Sequence, residues 1–233
     1  MTDKKKPCPD DNVHASSSTK PHVVEKPADT DGIGTLVTAT IDGNEVKVPL
    51  GTTILEAARR IGVRIPTLCH HDDLCVAGVC RICVVEVEGQ RTLQASCAYP
   101  ITQPITIWTH TRKVRQARRH ILDLLLSEHY GECYSCFRNN NCELQDLAKE
   151  YGVDFYRFGH PEKPLYEVDR TSYALVRDNN KCIGCRRCVR TCIDLQEVGV
   201  LEAIGRGDKT EISTYLDTVS YTHLRAHETK ANL

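Results

Sequence analysis

The sequence has no long apolar run, and nothing in it approaches the roughly 20 consecutive apolar residues of a membrane-spanning helix. The opening Met1-Thr2-Asp3-Lys4-Lys5-Lys6-Pro7 lacks an apolar core behind its basic residues, so export is unsupported as well. An excess of either charge is also missing: 30 Lys and Arg stand against 31 Asp and Glu. Such a balance creates no field to draw in nucleic acid or an acidic surface, and no nucleic-acid partner and no direct membrane insertion are expected.

Cysteine, by contrast, is abundant, with thirteen in 233 residues. Secreted disulfide scaffolds and intracellular metal proteins share that composition, and only the spacing separates them. The central stretch reads His129-x3-Cys133-x2-Cys136-x5-Cys142, one imidazole and three thiols that can converge on one metal centre. A lone His closing a helix is ordinarily a cap or a surface residue, but three cysteines starting four positions later reverse that reading. Exchanging a thiolate for a neutral imidazole makes a cluster less negative and should raise its potential.

Residues 1–34, with Lys4-Lys5-Lys6, Ser16-Ser17-Ser18 and few large apolar side chains, are expected to form a disordered tail in which Cys8 is a free thiol. From Leu36 the pattern changes. Leu36–Ile41 and Glu45–Val48 are β-branched runs around the turn signal Asp42-Gly43-Asn44. Thr53-Ile54-Leu55-Glu56 has capping-box spacing before a short helix with Ile54, Leu55, Ala58 and Ile61 on one face, ending at Gly62. Strands are predicted at Cys83–Val87 and Ile105–Trp108, giving a small α+β domain over 35–110 with one helix across a mixed sheet.

Within that domain Cys69, Cys80, Cys83 and Cys97 are spaced C-x10-C-x2-C-x13-C. Four thiolates on loop residues suit a [2Fe-2S] core, although tetrahedral zinc accepts the same donors. Cys75-x4-Cys80-x2-Cys83 also copies the plant-type ferredoxin spacing, which leaves Cys75 as an alternative first ligand and otherwise a spare loop thiol.

Thr111–Ser127 predicts the strongest helix, with Val114, Ala117, Ile121, Leu124 and Leu125 as its apolar stripe. Arg112, Lys113, Arg115, Arg118 and Arg119 form a solvated basic face. Cys142–Gly152 predicts a second helix whose face of Leu144, Leu147, Ala148 and Tyr151 covers the His129 set, and together these make a small helical unit over 111–152. Residues 153–177 read as a connector.

Over 178–217 lies the most specific motif, Cys182-x2-Cys185-x2-Cys188-x3-Cys192, the run of bacterial ferredoxins. Its first three thiolates ligate one [4Fe-4S] core and the fourth ligates a different one. Lys181, Arg186, Arg187 and Arg190 flank it, either as surface charge or to stabilise a reduced cluster. The three sets absorb eleven of the thirteen cysteines. No Cys follows position 192, so Cys182, Cys185 and Cys188 lack a fourth ligand and Cys192 lacks companions. Residues 218–233 resemble a translated sequencing adapter, which predicts a truncated reading frame with an artefactual tail.

Taken in order, these motifs resemble the N-terminal iron–sulfur module shared by [FeFe]-hydrogenases, the G (75 kDa-type) subunits of respiratory complex I and NAD-linked formate dehydrogenases. The resemblance implies a β-grasp [2Fe-2S] ferredoxin domain, then a His(Cys)3 [4Fe-4S] domain, then a truncated bacterial-ferredoxin-like segment, with one to two further [4Fe-4S] clusters in an intact protein. In that family the first [2Fe-2S] ligand follows Pro-Thr-Leu, which matches Pro66-Thr67-Leu68-Cys69 and selects Cys69 over Cys75.

Cys192, with Gln196–Leu201, Arg206-Gly207 and Ile212-Ser213, looks most like the hydrogenase version. The implied function is relay of electrons between a ferredoxin or flavin/NAD subunit and a catalytic domain outside this chain, within a cytoplasmic hetero-oligomer. A complex I-type parent would place it at the cytoplasmic face of the membrane. The alternatives are a complex I or formate dehydrogenase subunit and, more remotely, a zinc-binding structural protein.

Overall fold

The computed structural model describes residues 35–129, 133–153, 166–170 and 176–214. The expected tail with Cys8, most of the expected connector and the adapter-like end lie outside the described residues.

Two strands, β1 (Leu36–Ile41) and β2 (Asn44–Pro49), form a hairpin whose register brings Ile41 opposite Asn44. That leaves a two-residue loop in which Asp42 and Gly43 both have positive φ, 48° and 86°. This is the backbone of a type I′ turn, the kind whose twist matches the flanking strands. Val37, Ala39 and Ile41 on β1 and Val46 and Val48 on β2 point inward at every second position.

Helix α1 (Ile54–Arg60) begins with the reciprocal capping box anticipated from Thr53 and Glu56, and it buries Ile54, Leu55, Ala57 and Ala58 against the sheet. Strands β3 (Val84–Val87), β4 (Gln94–Ala95) and β5 (Ile105–Trp108) complete the order β2-β1-β5-β3-β4. Only the β1–β5 pairing is parallel, and the sheet is mixed as expected.

The 17-residue α2 (Arg112–Glu128) is capped by Thr111, whose Oγ1 accepts from the Val114 N–H at 3.2 Å. Its buried face corrects the stripe read from the sequence. Val114, Arg118, Leu122, Asp123 and Leu126 are buried, while Leu124 is 56% exposed and Ile121 and Leu125 are only partly covered. The inward row is therefore rotated onto Arg118, which is fully buried and not part of a solvated face. Burial of this cation is tolerable because its guanidinium donates to Val84 O at 2.8 Å and Tyr151 Oη at 3.0 Å, tying α2 to the sheet and to the next helix.

That helix, α3 (Glu143–Tyr151), stops at Gly152 in the left-handed region, as the sequence predicts. A second core joins Leu122 and Leu126 of α2 to Leu144, Leu147 and Ala148 of α3, and to Leu68 and Ile82 from the cysteine loops of the first domain. Beyond the connector, α4 (Arg187–Arg190) runs directly into a wide π-type turn, Thr191–Leu195. A hairpin not foreseen from sequence, β6 (Leu201–Ile204) with β7 (Glu211–Thr214), follows. Among the described residues no helix is long and apolar enough to cross a membrane.

Candidate metal centres

Between α1 and β3 the chain loops past Cys69, Cys80 and Cys83, and it turns sharply where Gly78 and Arg81 take positive φ of 60° and 58°. Cys69, Cys83 and Cys97 are buried, and Cys80 is half-buried. The four sulfurs fall into two pairs. Cys83 and Cys97 are 3.4 Å apart, and Cys69 makes the corresponding contact with Cys80.

In each pair one thiol is made acidic. The contact with Cys80 brings Cys69 down to about 5, helped by the backbone N–H groups of Cys80 and Val79 and by the charge of Arg190. The contact with Cys97 brings Cys83 down to about 6, against the opposing effect of burial. Cys80 and Cys97 are pushed up by the same contacts and by burial.

Two sulfur pairs are the donor pattern of a binuclear core, in which each iron takes two thiolates. A single zinc at about 2.3 Å from each ligand would draw all four sulfurs to roughly 3.8 Å of one another. Among the described residues no group of three or more His, Cys, Asp or Glu side chains is gathered as for one metal ion. The donor set fits a [2Fe-2S] group.

His129 closes α2, and its N–H donates to Leu125 O and Leu126 O at 3.1 and 3.2 Å. Cys133 opens a short 3-10 turn, and the Cys136 N–H returns to Cys133 O at 3.3 Å. Cys142 is the N-cap residue of α3. Burial pushes the Cys133 thiol up, and the charges of Cys142 and Cys136 add to that. One donor per residue, dispersed around a loop, suits a larger core with one ligand per iron.

The third set turns tightly at Gly184 and Arg186, with φ of 64° and 55°. The Gly184 N–H donates to Cys182 Sγ at 3.4 Å. Burial raises the Cys188 thiol, with the charges of Cys185 and Cys182 adding to it. Cys192 is held apart in the π-type turn, buried, with its carbonyl accepting from Val198 N–H and Gly199 N–H. A cavity of about 220 Å³ lies beside Cys182, lined also by Asn179, Tyr166 and Leu125.

Cys75 lies in the loop between Cys69 and Cys80. Its backbone is gripped by the third segment, with its N–H donating to Asp194 Oδ2 at 3.0 Å and its carbonyl accepting from Arg190 Nη1 at 2.5 Å. Arg190 is 4% exposed, so it is not the surface charge that its flanking position allowed. Sequence alone signals neither contact, because the partners lie more than 110 residues apart.

Residues 34–112 match the family profile of a 2Fe-2S iron-sulfur cluster binding domain. Residues 118–157 match the NADH-ubiquinone oxidoreductase-G iron-sulfur binding region, and residues 174–227 match the ferredoxin-like domain of NADH-quinone oxidoreductase subunit 3. The NADP-reducing hydrogenase subunit HndD of Solidesulfovibrio fructosivorans is 43% identical over 177 residues, covering 74% of this chain and 30% of that protein. The NADH-ubiquinone oxidoreductase 75 kDa subunit of Reclinomonas americana is 41% identical over 190 residues, covering 81% of this chain and 27% of that protein. A chain in the crystal structure of an NAD+-reducing [NiFe]-hydrogenase in the H2-reduced state superposes with a TM-score of 0.71 at 33% identity, over 76% of this chain and 74% of that one.

The chain therefore belongs to the family of iron–sulfur electron-transfer subunits shared by NAD(P)-linked hydrogenases and the G-type, 75 kDa subunits of NADH-ubiquinone oxidoreductase. It carries 2Fe-2S and 4Fe-4S binding domains. These relatives are subunits of larger oxidoreductases, and the chain spans less than a third of the length of the two curated relatives described.

Proposed function

We propose that this chain is the electron-relay module of a hydrogenase-type oxidoreductase, with its first domain a β-grasp ferredoxin unit. Cys69, Cys80, Cys83 and Cys97 hold a [2Fe-2S] core, and the observation that carries this assignment is the arrangement of the four sulfurs in two pairs. His129, Cys133, Cys136 and Cys142 hold a [4Fe-4S] core. Cys182, Cys185 and Cys188 supply three ligands of another, and Cys192 is reserved for a further one.

When bound, such clusters accept and release single electrons with little movement of their ligands. The chain's own residues hold, bury and tune them. Cys69 and Cys83 are themselves buried, backbone N–H groups reach the Cys69 sulfur, and Arg190 adds positive charge nearby. Electrons enter from a ferredoxin or a flavin/NAD subunit and leave for a catalytic partner within a hetero-oligomer.

The hydrogenase reading is supported by the 43% identity to HndD and by the likeness to the hydrogenase chain, which is of similar length to this one. A second reading, a complex I G-type subunit, is favoured by the two NADH oxidoreductase profiles matched over 118–157 and 174–227. Reduction of the reconstituted chain by reduced ferredoxin, set against reduction by NADH through a flavin subunit, separates the donors.

The assignment itself is tested on the full chain by iron and acid-labile sulfide content together with electron paramagnetic resonance. Cys69→Ser is expected to lose about two irons and the [2Fe-2S] signal. Cys75→Ser is expected to keep both. The reverse result would transfer the ligand role to Cys75, and zinc without any redox-active signal would end the relay reading.

A further inference from the structure

Arg190 is a buried cation whose hydrogen bonds all go to neutral groups. Its Nη2 donates to Cys69 O and, at 3.4 Å, to Cys185 O. Nη1 donates to Cys75 O at 2.5 Å and Nε to Arg186 O at 3.3 Å. Every acceptor is a backbone carbonyl, and among the described residues no carboxylate forms an ion pair with the guanidinium. The carboxylate one turn further on, Asp194, is engaged by the Cys75 N–H. Removing such a charge from water is costly unless something nearby benefits from it.

The neighbour that benefits is Cys69, whose own carbonyl accepts from Arg190 Nη2, so that the guanidinium lies beside the residue that presents the sulfur. The same guanidinium also fixes the loop that presents this sulfur, clamping the carbonyls of Cys69 and Cys75 to the carbonyl of Cys185. Arg187 of the same helix behaves differently. It donates to His70 O at 3.1 Å, but its charge is paired with Glu143 at 3.0 Å and its side chain is 28% exposed.

We propose that Arg190 is a positioning residue for the [2Fe-2S] group, holding loop 69–75 in its ligating form and raising the reduction potential of the core through its buried charge. The proposal rests on Cys69 being a ligand of that core. One-electron reduction of a thiolate-ligated core adds negative charge, which a nearby cation stabilises, so loss of the cation must lower the potential.

The test is an equilibrium redox titration of the [2Fe-2S] signal in the reconstituted full chain, paired with backbone hydrogen exchange over residues 69–75. Arg190→Met is expected to lower the ratio of reduced to oxidised core at a fixed potential by tenfold or more, a shift of about 59 mV for one electron. Arg190→Lys keeps the charge but cannot span the carbonyls. It is expected to retain most of the potential while exchange in the loop accelerates at least tenfold, and it carries the test if Arg190→Met does not fold. Arg186→Gln, at an exposed neighbour, is expected to shift the ratio less than threefold.

An unchanged midpoint in Arg190→Met, or Arg190→Lys matching the unaltered chain in both measurements, overturns the proposal. Absence of a [2Fe-2S] signal in the unaltered chain overturns the ligand assignment beneath it, and the two failures are thereby distinct.

Discussion

Arg118 shows how far a residue's role can depart from its local pattern. It sits in a run of basic residues at the start of α2, yet it is fully buried and bonded to Val84 O and Tyr151 Oη. Arg118→Ala leaves a cavity, a buried Val84 carbonyl and a partly buried Tyr151 hydroxyl without their donor. The expected loss is about 3 kcal/mol, read by denaturant unfolding of the cluster-loaded chain. Asp72 is the opposite case. The bond from Arg59 at 2.5 Å holds its carboxyl below the usual range, so its stabilising effect is present above about pH 4 and is lost as the pH falls. Its side chain is 72% exposed, and Asp72→Asn is expected to cost under about 1 kcal/mol at pH 7 and progressively less as the pH falls below the ordinary carboxylate range. The two arginines that matter most, Arg118 and Arg190, could not be read from the sequence, because what buries each is a carbonyl far along the chain.

Local chemistry made several elements legible. The Asp42-Gly43 turn and the Thr53/Glu56 cap depend on neighbours within four residues, and both form as read. Gly43→Ala places a side chain at a φ of 86° and is expected to cost about 1 kcal/mol, and Thr53→Ala about 1 kcal/mol through the lost cap, each measured as a shift in thermal midpoint. Strand β4 was missed because two residues carry no period, and its existence depends on pairing with β3. The rotated face of α2 was missed for a related reason: Leu124 and Leu125 are as apolar as Leu122 and Leu126, and only the position of the sheet and α3 decides which pair is covered.

Across the whole molecule, stability is unevenly spread. The sheet and α1 share a continuous apolar core, whereas the cysteines at 133, 136, 182, 185 and 188 sit in short turns with little buried surface. Iron chelation under reducing conditions is therefore expected to speed hydrogen exchange sharply over 133–142 and 182–188 while β1, β2 and β5 remain protected. Uniform protection after chelation would mean that these turns hold themselves. The cysteine sets proposed as ligands could be read from spacing because spacing is a property of the chain. The docking of the third segment onto loop 69–75 was not, because Arg187, Arg190 and Asp194 reach it across more than 110 residues.

Helix α2 is pinned to Val84, next to Cys83, by Arg118 and ends eleven residues later at His129. At 1.5 Å per residue that is a rod of about 16 Å. Tunnelling fades exponentially with separation, and an α-helix scarcely stretches. On the relay reading proposed above, the span from the Cys83 loop to His129 is thus ruled by main-chain geometry, and an inserted turn would slow transfer across it without altering a single cysteine.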